Sequence, residues 1–239
     1  MQDSAQPYCG PAPGPSDWAQ AWNFDPVLLA ALGACAGAGM LALRHVSGFR
    51  QRSFGLAGAF AVLAFVSPLC AMTVALFSAR TLHHLVVFSL LAPALALALP
   101  LRRIPPGLAL AAVSAALWLW HLPVAYAAAW DSAAIYWAMQ AALLLSAWAF
   151  WSALLARPAL GNAMWLLPLI AQMGLLGAVL TFAPAPFYAE HLATTQVFGT
   201  DALRDQQLAG LIMWVPGMVP LAVLSAVFGW RALAHEVRA

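Results

Sequence analysis

The spacing of charged side chains constrains this chain more than any other feature. Seven stretches carry no charged residue, and each is at least 18 residues long. They are 26–43, 53–79, 81–101, 104–130, 132–156, 158–189 and 206–230. Crossing roughly 30 Å of hydrocarbon takes about 20 residues of α-helix. The spacing therefore predicts an all-α, polytopic integral membrane protein with seven transmembrane helices.

The composition excludes several other classes of protein. Only 8% of the residues are charged, whereas a soluble domain carries roughly 25%, so soluble enzyme folds are excluded. All ten basic residues are arginine, and without a lysine amine no retinal or pyridoxal Schiff base can form. The three cysteines, Cys9, Cys35 and Cys70, are an odd number, which argues against a disulfide framework.

The arginines predict the orientation of the chain in the membrane. Only Arg80 and Arg204 lie on the side of the N-terminal tail. The other eight lie in the opposite loops and at the C-terminus: Arg44, Arg50, Arg52, Arg102, Arg103, Arg157, Arg231 and Arg238. Cytoplasmic loops are enriched in basic residues, so we expect the N-terminus outside and the C-terminus inside. The membrane is expected to be a bacterial inner membrane, with the periplasm outside.

The chain is expected to form one membrane domain, residues 26–230, between a short outer tail, 1–25, and a cytoplasmic tail, 231–239. The seven predicted helices are Pro26–Leu43, Gly55–Ser78, Leu82–Leu101, Gly107–Ala128, Ala133–Leu155, Ala163–Phe182 and Gln207–Trp230. The longest loop, Ala183–Gln206, is expected to cover the outer end. We expect its carboxylates, like Asp131, to be solvated, and Asp205 is also placed to cap helix seven.

Imidazole and sulfur side chains are concentrated in the outer half of the predicted bundle. His83 and His84 begin helix three, and His121 lies about two turns below the outer end of helix four. Cys70 and Met72 of helix two and Met213 of helix seven lie at similar depth. Imidazole together with thiolate or thioether sulfur suits copper, especially Cu(I). Adjacent residues on a helix diverge by about 100°, so one of His83 and His84 is expected to face the bundle and the other the loop.

Four stretches resemble the CtaG-type cytochrome c oxidase assembly factors. They are Ser67-Pro68-Leu69; His83-His84 followed by Leu91-Ala92-Pro93; Trp120-His121-Leu122-Pro123; and the 205–210 block (DQQLAG) running into Met213-Trp214-Val215-Pro216. The resemblance extends over roughly Trp22–Trp230. It implies a seven-helix membrane protein linked to copper-site biogenesis in haem-copper oxidases. Arg80 stands where many members of that family carry a histidine, and Cys70 stands where we would expect an acidic residue.

Taken with the residues, the resemblance predicts a non-enzymatic assembly factor for cytochrome c oxidase that handles Cu(I) on the outer side. His84 and His121 are the principal candidate ligands, and His83, Met72, Met213 and Cys70 are further candidates. The expected partners are the lipid bilayer, the catalytic subunit of the haem-copper oxidase and periplasmic copper chaperones, and no nucleic acid.

Two other functions remain open at this point. Histidines in a helical bundle also ligate haem in b-type cytochromes, although the intramembrane histidines here lie at one depth only. A structural helper of the oxidase that binds no metal is the second alternative. A Soret band would identify the first, and an absence of bound metal would identify the second.

Overall fold

The computed structural model describes residues 7–156 and 159–236, and all regular structure in those ranges is helical. Arg157 and Arg238, two of the arginines behind the expected orientation, lie outside them. The α-helices are α1 Pro26–Leu43, α2 Gly48–Phe65, α3 Leu69–Ala75, α4 Phe77–Val86, α5 Ala92–Ala98, α6 Pro106–His121, α7 Pro123–Asp131, α8 Ala133–Leu155, α9 Ala159–Thr181 and α10 Ala202–Glu236. A π-helical turn, Val87–Leu91, joins α4 to α5.

The helices confirm the predicted fold class. Six helical segments are long and apolar enough to cross a membrane, and a seventh is added if α6 and α7, whose axes differ by 77°, are counted as one broken span. Two of the predicted bounds, Pro26–Leu43 and Ala133–Leu155, agree with the structure. Both helices begin at a polar cap. The Asp25 carboxylate accepts hydrogen bonds from the N–H groups of Val27 and Leu28, and the Ser132 hydroxyl accepts one from the Ile135 N–H.

The predicted second helix, Gly55–Ser78, corresponds to one span, Gly48–Ala75, but its bounds are wrong and the span is interrupted between α2 and α3. Pro68 has no N–H to continue the helical hydrogen bonds. The Ser67 N–H donates to the Val62 carbonyl at 2.9 Å, and the Ser67 hydroxyl donates to the Leu63 carbonyl at 2.6 Å. The chain breaks again at Leu76, which is extended (φ −132°, ψ 133°). Consequently α4 begins at Phe77, one turn earlier than the predicted Leu82.

The predicted fourth helix is also divided. It bends at Leu122, which is extended and precedes Pro123, because the residue before a proline disfavours the helical region. His121 is therefore the last residue of α6 and does not lie two turns inside a continuous helix, as the sequence predicted.

Asp205 joins the start of α10 to the start of α4. Its side chain is 2% exposed, and one carboxylate oxygen accepts from the N–H groups of Phe77 at 2.6 Å and Ser78 at 3.3 Å. The Ser78 hydroxyl donates to the other oxygen. The expectation that Asp205 is solvated or caps its own helix is wrong: Asp201 accepts from the Arg204 N–H of α10 at 2.9 Å, and Asp205 caps α4.

The glycine of the 205–210 block allows α10 to cross α9 closely. A Cβ added at Gly210 would lie 2.3 Å from the Thr181 hydroxyl oxygen and 2.6 Å from the Gly177 carbonyl oxygen. Neither distance is sterically possible for a side chain, so the backbones approach closely only because Gly210 has none.

A disulfide between Cys9 and Cys70 fixes the N-terminal tail to α3, and Cys35 is an exposed free thiol. The odd number of cysteines therefore did not exclude a disulfide, because two of the three are bonded to each other. The Tyr8 hydroxyl also donates to the Asp25 carboxylate at 2.7 Å. Burial raises the pKa of Tyr8 to about 12, whereas the hydrogen bond from Tyr8 lowers the pKa of Asp25, so this bond persists at neutral pH.

Replacing Asp205 by alanine is expected to lower the free energy of unfolding by about 2–3 kcal/mol, because two buried N–H groups lose their charged acceptor. Asp201→Ala is the matched control. It removes an exposed cap and should cost only about 0.5–1 kcal/mol. Denaturation of the purified protein in detergent, followed by circular dichroism, measures both. Equal losses would contradict the role of Asp205 as the link between α10 and α4.

Candidate functional site

A small cavity of about 50 Å³ lies between the described helices. Its walls come from α4, the π-helical turn, α6, α8, α9 and α10. The lining residues are Thr81, His84, Leu85, Val87, Phe88, Val113, Leu117, His121, Leu143, Leu169, Met173 and Met213. The cavity is largely apolar, but two imidazole rings and two thioethers meet in it. Three of these four groups, His84, His121 and Met213, are candidates named from the sequence.

The two histidines face each other from different helices. The ring centroids of His84, on α4, and His121, at the end of α6, are 6.4 Å apart, and the ring planes are inclined by 77°. No other described histidine lines the cavity.

The hydrogen bond of His121 fixes which ring nitrogen is free. Its Nδ1 lies 2.7 Å from the Leu117 carbonyl oxygen. A carbonyl can only accept, so Nδ1 carries the proton and, in the neutral ring, Nε2 keeps a free lone pair. Histidines that bind a metal commonly donate their second ring N–H to a backbone carbonyl in this way.

His84 and Thr81 bring unsatisfied polar atoms to the same cavity. His84 Nε2 and the Thr81 hydroxyl oxygen are buried and have no hydrogen-bond partner within residues 7–156 and 159–236. They lie three residues apart and so share one face of α4. A buried polar atom without a partner costs about 1–3 kcal/mol, and such atoms in a native structure commonly mark a ligand or an ordered water.

His83 points away from the cavity. Its side chain is fully buried and packs edge-on against Phe65 of α2, with ring centroids 5.4 Å apart. The expectation that one of the two adjacent histidines faces the loop is therefore wrong, since His84 faces the cavity and His83 faces α2.

The remaining candidates do not line the cavity. Cys70 is bonded to Cys9, so its sulfur is not a thiolate in this state. Met72 is half-buried on α3. In residues 7–156 and 159–236, no group of three histidine, cysteine, aspartate or glutamate side chains is arranged to hold a metal ion. Two imidazoles with thioethers are thus the donor set that the cavity offers.

Sequence reasoning missed Met173, which lines the cavity from α9. It is 3% exposed, as is Met213. The pattern of α9 gave no signal for it, because that helix is apolar on all sides and only the packing shows which face turns inward.

Arg80 is a second residue whose position the sequence did not indicate. It is 3% exposed, and its guanidinium lies over the ring of Tyr126, 4.5 Å from the centroid, and 5.6 Å from the ring centroid of Trp130. Among the described residues, Nε and Nη1 have no hydrogen-bond partner and Arg80 forms no salt bridge. A buried cation therefore lies one helical turn before His84.

The 183–201 loop covers this end of the bundle, as predicted for Ala183–Gln206. The Tyr188 hydroxyl donates to the His121 carbonyl at 2.9 Å, and the Phe187 N–H donates to the Gln206 side-chain oxygen at 2.6 Å. A hydrogen bond joins the Tyr126 hydroxyl to His191 Nε2. Burial, followed by the Arg80 cation, lowers the pKa of His191 to about 3, so this loop histidine is neutral at physiological pH.

The comparisons with known proteins identify the family. The family model described as cytochrome c oxidase caa3 assembly factor (Caa3_CtaG) matches residues 104–235. The match includes His121, Met173 and Met213 and begins after His84. No curated protein and no solved structure matches the chain. Because the matched region is more than half of the sequence and agrees with the helical membrane fold, this chain belongs to the Caa3_CtaG family of cytochrome c oxidase assembly factors.

Proposed function

We propose that this assembly factor holds Cu(I) between His84 and His121 as cargo and passes it to the catalytic subunit of the oxidase. One observation carries the proposal: two imidazoles from separate helices meet at one small cavity, one with its free nitrogen fixed by Leu117 and the other with a buried, unpartnered nitrogen.

The size and donors of the cavity fit a single soft ion. An imidazole nitrogen lies about 2.0–2.1 Å from a bound first-row metal. Allowing for the radius of each ring, two imidazoles sharing one ion have centroids about 6 Å apart, near the 6.4 Å between His84 and His121. Met173 and Met213 add thioether sulfur, which favours Cu(I). Imidazole and thioether hold the ion without a closed thiolate cage, which suits a protein that must release it.

The haem alternative is not favoured by the same geometry. Ligand pockets usually measure about 300–1,000 Å³, whereas the cavity beside His84 and His121 is about 50 Å³. A larger cavity of about 680 Å³ lies beside the 99–104 segment, and no histidine lines it. A measurement of copper bound to the purified protein distinguishes the structural helper that binds no metal.

The depth of the site supports lateral delivery. His84 lies seven residues after the start of α4, which is about 10 Å along a helix. In a bacterial inner membrane with the N-terminus outside, this level is within the outer leaflet. Copper supplied by periplasmic chaperones would enter from the end covered by the 183–201 loop and leave sideways to a buried copper centre.

The purified protein with its disulfide intact is expected to bind one Cu(I) ion, which His84→Ala or His121→Ala should each remove. Each substitution should be nearly as severe as the double, since a site with so few ligands does not survive the loss of one. Titration against a chromogenic Cu(I) chelator, with ascorbate to keep the copper reduced, measures the binding. His45→Ala is the control, because His45 is exposed in the loop after α1.

Two results would count against this copper site. Independent, additive losses from the two substitutions would mean two weak sites. No bound copper in the wild type, together with an intact function in oxidase assembly, would favour the helper without a metal.

The orientation is tested by introducing cysteines in a Cys35→Ser background. A cysteine at Ser132, the N-cap of α8, should react with a membrane-impermeant thiol reagent in intact cells. A cysteine at Ser47, the N-cap of α2, should react only after lysis. The expected difference follows from the eight arginines on the Ser47 side. The opposite labelling pattern would place the histidine cavity in the cytoplasmic leaflet.

Deleting the protein is expected to leave an oxidase that is assembled and contains haem but lacks copper beside the haem. A copper centre facing the aqueous phase should be less affected, because its supply does not need a donor within the membrane. Metal analysis of the purified oxidase, with its haem spectrum, measures this. A fully metallated oxidase would refute the role, and loss of the whole complex would favour the helper without a metal.

A further inference from the structure

The Cys9–Cys70 disulfide lies apart from the histidine cavity, and its two sulfurs differ in accessibility. Their Cα atoms are 5.5 Å apart. Cys70 on α3 is fully buried, whereas Cys9 in the tail is half-buried. The Cys9 side of the bond is therefore the more accessible one.

Hydrogen-bond donors surround the two sulfurs. The Tyr136 hydroxyl oxygen lies 3.4 Å from Cys9 Sγ and 4.0 Å from Cys70 Sγ. Disulfide sulfurs carry no proton, so Tyr136 is the donor. Asn23 Nδ2 donates one hydrogen to the Phe65 carbonyl at 3.1 Å and is 3.8 Å from Cys70 Sγ. Each sulfur thus lies next to at least one side-chain hydrogen-bond donor.

A disulfide accepts only weak hydrogen bonds from these donors. Neutral divalent sulfur is a weak acceptor, whereas hydrogen bonds to an ionised group are roughly twice as strong as neutral ones. Tyr136 is 3% exposed, and its hydroxyl, which also interacts with the Gln140 side chain, lies beside both sulfurs. Tyr136 and Asn23 would therefore donate stronger hydrogen bonds to thiolate sulfur than to the bonded pair.

We propose that Cys9 and Cys70 form a second, redox-gated copper site, in which the reduced pair binds one Cu(I) as a dithiolate. The choice of metal rests on the proposed function, but the site does not use His84 or His121. Two thiolates are a soft ligand pair suited to Cu(I).

Reduction needs a dithiol protein or small dithiol in the outer compartment. One of its thiolates attacks Cys9 Sγ, the Cys9–Cys70 bond breaks, and Cys70 leaves as a thiolate. The second thiol of the reductant then displaces Cys9, so the reductant ends as a disulfide and two electrons have passed to the cysteine pair. Cu(I) binding then displaces the remaining thiol protons, and reoxidation by a disulfide of the same class reverses the exchange and expels the ion.

The tail has the contacts to keep Cys9 near Cys70 after the bond opens. The Tyr8 ring stacks on Tyr136 with centroids 5.0 Å apart and its edge contacts Trp137 at the same distance. The Tyr8 hydroxyl is bonded to Asp25. The reduced pair is therefore held together by packing next to the cysteine, and binding copper does not require the tail to be ordered anew.

The test compares Cu(I) stoichiometry in the oxidised full-length protein and in protein reduced by a phosphine that is then removed. Reduction should add one Cu(I) per chain. Cys9→Ser and Cys70→Ser should each abolish that added ion, and Cys35→Ser should leave it unchanged. Tyr136→Phe should weaken it by about 10-fold, the scale expected when an outer hydrogen bond to a metal ligand is removed. The ion bound by the oxidised protein should be unaffected by Tyr136→Phe.

The outcomes separate this site from the histidine cavity. His84→Ala/His121→Ala protein should still gain one Cu(I) on reduction, and that gain would stand even if the oxidised wild type bound no copper. An unchanged stoichiometry on reduction of the wild type would overturn the proposal. So would an added ion that survives in Cys9→Ser protein whose circular dichroism shows it to be folded.

Discussion

The hydrogen bonds from the start of α4 to the Asp205 carboxylate fix the relative depth of the residues that follow in α4 and α10. The break at Leu76 leaves the first N–H groups of α4 without acceptors in their own chain segment, and a buried N–H needs a partner. Asp205 supplies it from the first turn of α10. His84 lies seven residues beyond Phe77 and Met213 eight beyond Asp205. Since each residue rises about 1.5 Å, the two side chains reach similar depths and line the same cavity.

The sequence predicted the fold well where local rules decide. Asp25 and Pro26 set the start of α1, and Ser132 sets the start of α8, so both helices have the predicted bounds. The prediction from the sequence failed where a helix is broken. Pro68 and Pro123 show that a helix is able to bend, but the direction and the angle depend on what packs against it, and the 77° bend after His121 is a tertiary property.

The candidate site was likewise predicted in part. Imidazole and sulfur at one depth indicated His84, His121 and Met213. The same argument included Cys70, whose role depends on the tail residue Cys9, and it could not include Met173, because a uniformly apolar helix does not show which face is inward. Asp205 was misjudged for a related reason: a carboxylate near a helix start is usually solvated, and only the broken α3–α4 segment makes a buried acceptor necessary.

Buried polar groups in this bundle divide into two kinds. Asp205 and Gln206 have their hydrogen bonds satisfied and connect helices and loops. His84, Thr81 and Arg80 retain unsatisfied atoms near the cavity. Unpaired buried atoms also occur away from the cavity, on Trp120, Gln140 and His191. His84 and Thr81 differ from these because their unpaired atoms belong to residues that line one cavity, where another atom can be accommodated.

The charges around the cavity bear on which ion the proposed site would hold. No aspartate or glutamate is among the residues lining the cavity, so neutral imidazoles and thioethers leave the charge of a bound ion uncompensated. The buried Arg80 cation one turn from His84 adds repulsion. Because the cost of burying an ion grows as the square of its charge, a divalent ion pays about four times the desolvation cost of a monovalent one. For the copper cargo that we propose, charge as well as the sulfur ligands would therefore favour Cu(I) over Cu(II) or Zn²⁺, and oxidation of that copper would weaken the proposed binding.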